Sequence, residues 1–390
     1  MTELAEGLVQ RGHQVRVVTA MPWYPANEIS PEYRGKIYLT EECKGVQIQR
    51  CFVWLKQGRG FLDRALFELS FVVLSFFQAL RGWRPDVILL TVPGLPVAIP
   101  AVLLSWLYRC PIILNLQDIL PDAAIHVGLI TNPILIRIFE TLEGFAYKHS
   151  TKISVIADGF RQNLLKKGVP EQKIVEIPNW VDIDFIRPLP QTDNYFRLAH
   201  NLEDMFVVLY SGNIALTQPL ETLIEAAAKL LDYPDIRVVI VGKSAALERL
   251  DRYRISLNAT NVLLLPFQPR HQLPEMLAAA NVMMVMQKKN VISFNMPSKI
   301  QVLLASGRAI IASVPESGTA AHAIRASGGG LVIPPEDGEA LAQTILQLYL
   351  DPDKVKMMAE SGRLYAQENY SFSLTLDRYE KVFAEVTHKL

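Results

Sequence analysis

Two carboxylates, Asp118 and Asp122, stand beside Gln117 and His126 in the stretch NLQDILPDAAIHVG, residues 115–128, directly after an apolar strand-like run. A carboxylate in that position can orient a hydroxyl or move its proton, and a neighbouring amide can hold a second hydroxyl. Asp118 and Gln117 are therefore the candidate catalytic pair, whereas Asp122 reads as an acid capping the next turn. A second set of residues is basic. Gly212 and Asn213 lie in VLYSGNIALTQPLETL, a strand–turn–helix pattern in which the glycine permits close backbone approach and the helix start offers unpaired amides to a phosphate. Lys288 follows a later strand, and Lys299 opens a helix behind Pro297 and Ser298. Ligands of parallel sheets bind at the carboxyl ends of strands, where these junctions fall. Gly212, Asn213, Lys288 and Lys299 converging on one rim would neutralise a diphosphate, and Gln218, Pro297 and Ser298 complete the candidate set.

The elements that must hold these groups alternate. PDVILLTV, PIILNL and TKISVI are short runs of Val, Ile and Leu, each followed by an amphipathic helical stretch, and the theme resumes at FVVLYSG, IRVVIVG, NVLLLPF, NVMMVMQ and AIIASV. Buried strands separated by helices indicate an α/β protein with parallel sheets covered on both faces. The segment IPNWVDIDFIRPLPQTDN, residues 177–194, is rich in proline and polar residues and reads as a linker between two Rossmann-like domains. The chain opens on a helix with Leu4 and Leu8 inward, followed by a strand from Val15 to Thr19. In a doubly wound fold a strand precedes such a helix, so the first strand of the N-terminal domain is expected to be missing.

Composition narrows the function. At 390 residues the chain is long for one domain, and 39 basic residues balance 39 acidic ones, so no global field recruits nucleic acid. Cys43, Cys51 and Cys110 have no metal-ligand spacing and suit a reducing cytoplasm, and no signal peptide is read at the N-terminus. The segment 61–84 is strongly apolar, but its uninterrupted core falls short of the ~20 residues of a span, with Glu68 and Gln78 inside it. Flanked by Arg59, Arg64, Arg81 and Arg84, it suits either an anionic membrane interface or a core helix. Phe71 and Phe76 are the expected lipid-facing residues.

LYSGNIALTQPLE, IPNWVD, VVIVGKSAALERL, VLLLPFQPRHQLPEMLAAANVMMVMQK and MPSKIQVLLASGRAIIAS resemble the nucleotide-sugar domain of family 4 glycosyltransferases of the GT-B fold. LVQRGHQVRVVTAMPWYP and LQDILPDAAIHVGL are similar to its N-terminal half, and the colanic-acid biosynthesis fucosyltransferase type is the nearest in pattern. The resemblance implies two Rossmann-like domains facing across a cleft, residues 1–185 and 186–371, with a C-terminal helix at about 372–388 crossing back to the first. It implies retaining transfer of a sugar from a GDP- or UDP-sugar, bound by the C-terminal domain, to an acceptor hydroxyl on the N-terminal one, with neither metal nor cofactor. The implied acceptor is a lipid-linked saccharide of exopolysaccharide or lipopolysaccharide assembly, met on the cytoplasmic face of the membrane.

Departures from the family pattern are specific. Val302 stands where many members carry the second glutamate of a Glu-x7-Glu motif, and Ala215, Leu216 and Thr217 stand where a glycine and a basic residue are usual. Gln117 replaces a histidine. Diphosphate neutralisation then falls on Lys288 and Lys299. These departures leave two other readings open: a chain that binds nucleotide sugar without turnover, and a nucleotide-sugar epimerase on the same fold.

Overall fold

The computed structural model describes residues 1–390 except 25–26, 56–60, 93, 123–124, 126–127, 129, 216, 292–293 and 388–390. Arg59, His126 and Leu216 of the sequence reading lie outside the described residues. The chain forms two compact units. The first comprises Met1–Ile156, Phe160–Ile177 and Leu376–Leu390; the second comprises Ala157–Gly159 and Pro178–Thr375.

In the second unit six parallel strands follow the order β10-β9-β8-β11-β12-β13. They are β8 (Phe206–Ser211), β9 (Ile236–Gly242), β10 (Val262–Pro266), β11 (Val282–Met286), β12 (Ala309–Ser313) and β13 (Gly330–Ile333). Side chains alternate across a strand, so Val207 and Leu209 enter one core while Val208 and Tyr210 enter the other, and all four are 0% exposed. Each fully buried side chain of this kind contributes about 1.5–3 kcal/mol. Helices on both faces close the two cores.

The first unit has two sheets. One contains β1 (Arg16–Ala20), β2 (Tyr38–Cys43) and β3 (Val46–Cys51) in the order β1-β3-β2, with β2 antiparallel. The other is parallel: β4 (Ile88–Val92), β5 (Ile112–Leu116), β6 (Lys152–Val155) and β7 (Ile174–Glu176). Among the described residues no strand pairs with the outer edge of β1 or of β4. Helix Thr2–Gln10 buries Leu4 and Leu8, the two positions its periodicity points inward. From Leu376 onward the helix Phe372–Thr387 belongs to this unit, where Arg11 bonds Asp377 at 2.6 Å and Lys152 pairs with Glu385 at 3.0 Å.

Two expectations need correction. Residues 178–194 are a built part of the second unit, so its boundary falls after Ile177, eight residues before the expected 185. Val181 bridges Ser371, Ile186 is buried, and Arg363 donates to the carbonyls of Ile183 and Ile186. Prolines and aspartates masked this apolar spacing. The second correction concerns helix Phe61–Ala79. Phe71 and Phe76 are half-buried, whereas Leu62, Leu66, Leu69, Val73 and Phe77 are exposed, Leu62 at 74% and Phe77 at 52%. The opposite face buries Ser75 and Gln78, and Gln78 donates to the carbonyls of Leu39 and Arg50 in the three-stranded sheet. That pairing fixes which face turns inward.

Candidate functional site

The strand order of the second unit creates the site. From β8 the connections run one way to β9 and β10, and the other way from β11 to β12 and β13, so β8 and β11 flank a switch point. In open parallel sheets such a point, beyond the carboxyl ends of the strands, is where ligands bind. Gly212 leaves β8 with φ of +146°, a conformation that strains any side chain, and a Cβ at this position would lie 2.9 Å from Lys299 Nζ. The turn is held from within: Tyr210 Oη donates to the carbonyl of Asn213 at 2.8 Å, and Gln218 Oε1 accepts from the amide of Ala215 at 3.1 Å. Gln218 is thus committed to the loop. The amide of Lys288, after β11, donates to the carbonyl of Thr217 at 3.0 Å and ties the two loops together.

Lys299 reaches back from the start of helix Ile300–Ala305. Its Nζ donates to the carbonyl of Ser211 at 3.0 Å and lies 3.7 Å from the centroid of the Tyr210 ring. Carbonyl dipole and ring face attract a cation, but neither carries a full charge. Among the described residues no carboxylate pairs with it. Burial pushes the ammonium down to about 7. Pro297 accepts the amide of Ile300 at 3.1 Å, and Ser298 is exposed beside it. The structure therefore gathers Gly212, Asn213 and Lys299 closely, with the Lys288 backbone joined through Thr217.

Sequence reading passed over Tyr210 and Gln287. Tyr210 is part of a strand in the sequence and becomes a ring under a cation only in three dimensions. Buried Gln287 donates to Asn295 Oδ1 at 2.9 Å, linking the loop after β11 to the segment before Lys299. Val302, in the place of the family's glutamate, is packed against the core.

In the first unit a polar row crosses the parallel sheet. Thr91, Asn115 and Ser154 occupy one register on β4, β5 and β6; Asn115 Nδ2 donates to Thr91 Oγ1 at 3.4 Å, and Ser154 Oγ donates to Asn115 Oδ1 at 3.3 Å. Gln117 extends this row by donating to Asn115 Oδ1 at 2.9 Å. Asp118 comes next. One of its oxygens accepts the amide of Ile119 at 2.9 Å, and burial raises its pKa above the usual carboxylate range. Asp122 departs from the expected capping role: its carboxylate accepts from Asn163 and Lys167, both at 2.9 Å, and Lys167 also meets Glu143 at 2.8 Å. A lysine within reach is a stronger partner for it than a neutral amide. Among the described residues no group of three His, Cys, Asp or Glu side chains is arranged to hold a metal ion.

Residues 1–180 match the family described as Glycosyl transferase 4-like domain, and residues 193–365 match Glycosyl transferases group 1. WcaI of Escherichia coli (strain K12), named for colanic acid biosynthesis as a glycosyl transferase, is 31% identical over 361 residues, 90% of this chain and 88% of that protein. The chain belongs to the family 4 glycosyltransferases, with the GT-B fold. Two solved members of this fold are similar in backbone. HepE of Anabaena, in complex with UDP and glucose, has a TM-score of 0.70 at 14% identity, covering 95% of this chain and 100% of HepE. WaaG, a glycosyltransferase of lipopolysaccharide biosynthesis, has a TM-score of 0.66 at 16% identity, covering 99% and 94%. In this family 4 glycosyltransferase the switch point therefore brings together a backbone turn, at Gly212, and a basic side chain, Lys299.

Proposed function

We propose that this glycosyltransferase moves a sugar, with retention and without a metal, from a nucleoside diphosphate sugar to a lipid-linked saccharide during exopolysaccharide or lipopolysaccharide assembly on the cytoplasmic face of the membrane. The observation that carries this reading is Lys299: a half-buried amine at the switch point, on neutral partners only among the described residues, beside a glycine turn. A diphosphate brings the counter-charge that the protein leaves out. As the glycosidic bond breaks, negative charge grows on the departing phosphate, and a fixed ammonium stabilises that charge more than it stabilises the bound donor. Asp118 and Gln117 orient the acceptor hydroxyl, Gln117 being held in place by Asn115. WcaI supports the pathway, and the UDP and glucose bound by HepE support the donor class.

The lipid-linked acceptor agrees with the outer surface of the first unit. Besides the stripe from Leu62 to Phe77, helix Ala98–Tyr108 packs alongside and exposes Ile99, Leu103, Trp106 and Leu107. Helix Pro133–His149 packs next to it and exposes Ile134 and Ile138. Arg64 and Arg84 are exposed nearby in sequence, while Arg81 stacks on Tyr38 at 4.1 Å. Among the described residues no helix is long and apolar enough to cross a membrane. An apolar face of this extent, with arginines beside it, rests in a bilayer interface.

Thermal shift against UDP, GDP and their sugars tests the donor class. A ligand at a hundred times its dissociation constant stabilises by about 2.7 kcal/mol. Lys299→Ala and Lys288→Ala are expected to remove the shift given by the diphosphate and to leave that of the nucleoside unchanged. Equal loss of both would remove the phosphate role.

A further inference from the structure

The amino-terminal end of the second unit's strands carries basic groups that the proposed donor site does not use. Phe206, Asn281 and Arg308 stand at the amino ends of β8, β11 and β12, and there they line a cavity of about 550 Å³ whose far wall is helix Pro352–Tyr370. Arg308 donates to the carbonyls of Leu189 at 2.6 Å and Ala278 at 2.9 Å, and its Nε is buried without a hydrogen-bond partner. Arg363 donates to the carbonyls of Ala305 at 2.8 Å and Ile186 at 2.9 Å. Arg197, fully buried behind them, holds the carbonyl of Ala279 at 2.9 Å.

Among the described residues none of these three guanidinium groups forms an ion pair with a carboxylate; Glu203 and Asp184 act on Arg197 and Arg363 only through space, and Arg308 has no acid acting on it. Ala278 and Ala305 close two helices, and a helix end supplies roughly half a negative charge at most. Burial and the neighbouring charge of Arg197 both push Arg308 below the usual arginine range, the sign of a cation without a counter-ion. Lys356 adds a further positive charge on the lining, and Glu360 is the one acid there among the described residues. The rest of the lining mixes the amides of Gln191, Asn281 and Gln367 with apolar groups: the rings of Phe206 and Tyr349 meet edge to face at 5.5 Å, and Leu364 is exposed.

We infer that this cavity is a second ligand site, for a small anion with an apolar body, its phosphate or carboxylate head among Arg308, Arg363 and Lys356 and its body against Phe206, Tyr349 and Leu364. It is distinct from the donor site, since it lies at the amino ends of strands whose carboxyl ends hold Gly212 and Lys288. Free phosphate satisfies the head alone and a neutral ring the wall alone.

Phenyl phosphate carries both parts and is the probe. Calorimetric titration into the full chain bearing Lys299→Ala, which removes the donor-site amine, is expected to show binding. Inorganic phosphate and phenol should each bind at least roughly tenfold more weakly. Lys356→Glu is expected to weaken phenyl phosphate roughly tenfold or more, less so in high salt. Ala359→Trp fills the cavity and should abolish binding. Circular dichroism and the thermal midpoint establish that both variants fold. Binding that is equal in wild type, Lys356→Glu and Ala359→Trp overturns the inference. So does loss of binding in the Lys299→Ala chain, or no heat up to about 10 mM probe.

Discussion

The two units read alike in sequence and differ in how their sheets close. In the second, β8 pairs with both β9 and β11, so one continuous sheet runs through the switch point. In the first, β1 and β4 each keep an edge that no described strand pairs with, and the strands divide into sheets of three and four. Burial follows this difference. The four central residues of β8 are fully buried, whereas every residue of β1 is half-exposed. A strand with two neighbours and two covered faces holds the loop after it rigidly, and in the second unit that loop is Gly212. Gln117 and Asp118 follow β5, which likewise has neighbours on both sides and is buried along its length, but within a smaller sheet.

The strongest expected effect tests that contrast directly. Leu209→Ala, in β8, should cost about 2–5 kcal/mol because the void left in a core covered on all sides cannot collapse fully. Val18→Ala, in half-exposed β1, should cost less than about 1.5 kcal/mol. Urea denaturation of each unit's signal measures both, and equal costs would erase the distinction. Asp118→Asn comes next. It preserves shape and removes the charge, so turnover in a sugar-transfer assay should fall roughly a hundredfold, the scale of a lost positioned acid–base group. Donor binding, which the proposed function assigns to the other unit, should stay unchanged. A parallel fall in donor affinity would show that the units do not divide the work in this way.

A smaller effect sharpens the reading of the first unit's outer face. Phe77→Glu and Leu69→Glu should reduce association with anionic vesicles roughly tenfold without changing the thermal midpoint, since both side chains already face outward. Phe76→Glu should instead lower the midpoint, because its ring is half-buried. Vesicle flotation and a melting curve separate the outcomes.

Much of the second unit was legible in the sequence. Runs such as VVLY and VVIVG are too apolar and too β-branched for anything but buried parallel strands, and lysines after them fall at carboxyl ends by topology alone. Less was legible where a side chain's partner lies far along the chain. Asp122 reads as a cap until Lys167, distant in sequence, takes its carboxylate. Gln117 reads as a free amide until Asn115 accepts from it. Residues 177–194 read as a linker because their prolines and aspartates outweigh Val181 and Ile186 in composition, although those two do the packing. Helix Phe61–Ala79 is apolar nearly all round, so periodicity does not select its inner face. The choice rests on Gln78 finding two carbonyls in the neighbouring sheet.

The central claim is that Lys299 is a cation kept without a counter-charge until a diphosphate arrives, and the pH dependence of UDP or GDP binding tests it most directly. With its pKa lowered to about 7 in the free protein, Lys299 is charged below that pH and neutral above it. A bound diphosphate favours the charged form, so binding above pH 7 must take up a proton and weakens as pH rises. Calorimetric dissociation constants from pH 6.5 to 9 should rise in wild type by up to roughly tenfold per unit above pH 7. In Lys299→Met they should be weaker throughout and lack that rise. A wild-type affinity that stays level across the range, or a Lys299→Met chain that binds as tightly as wild type, would contradict the assignment.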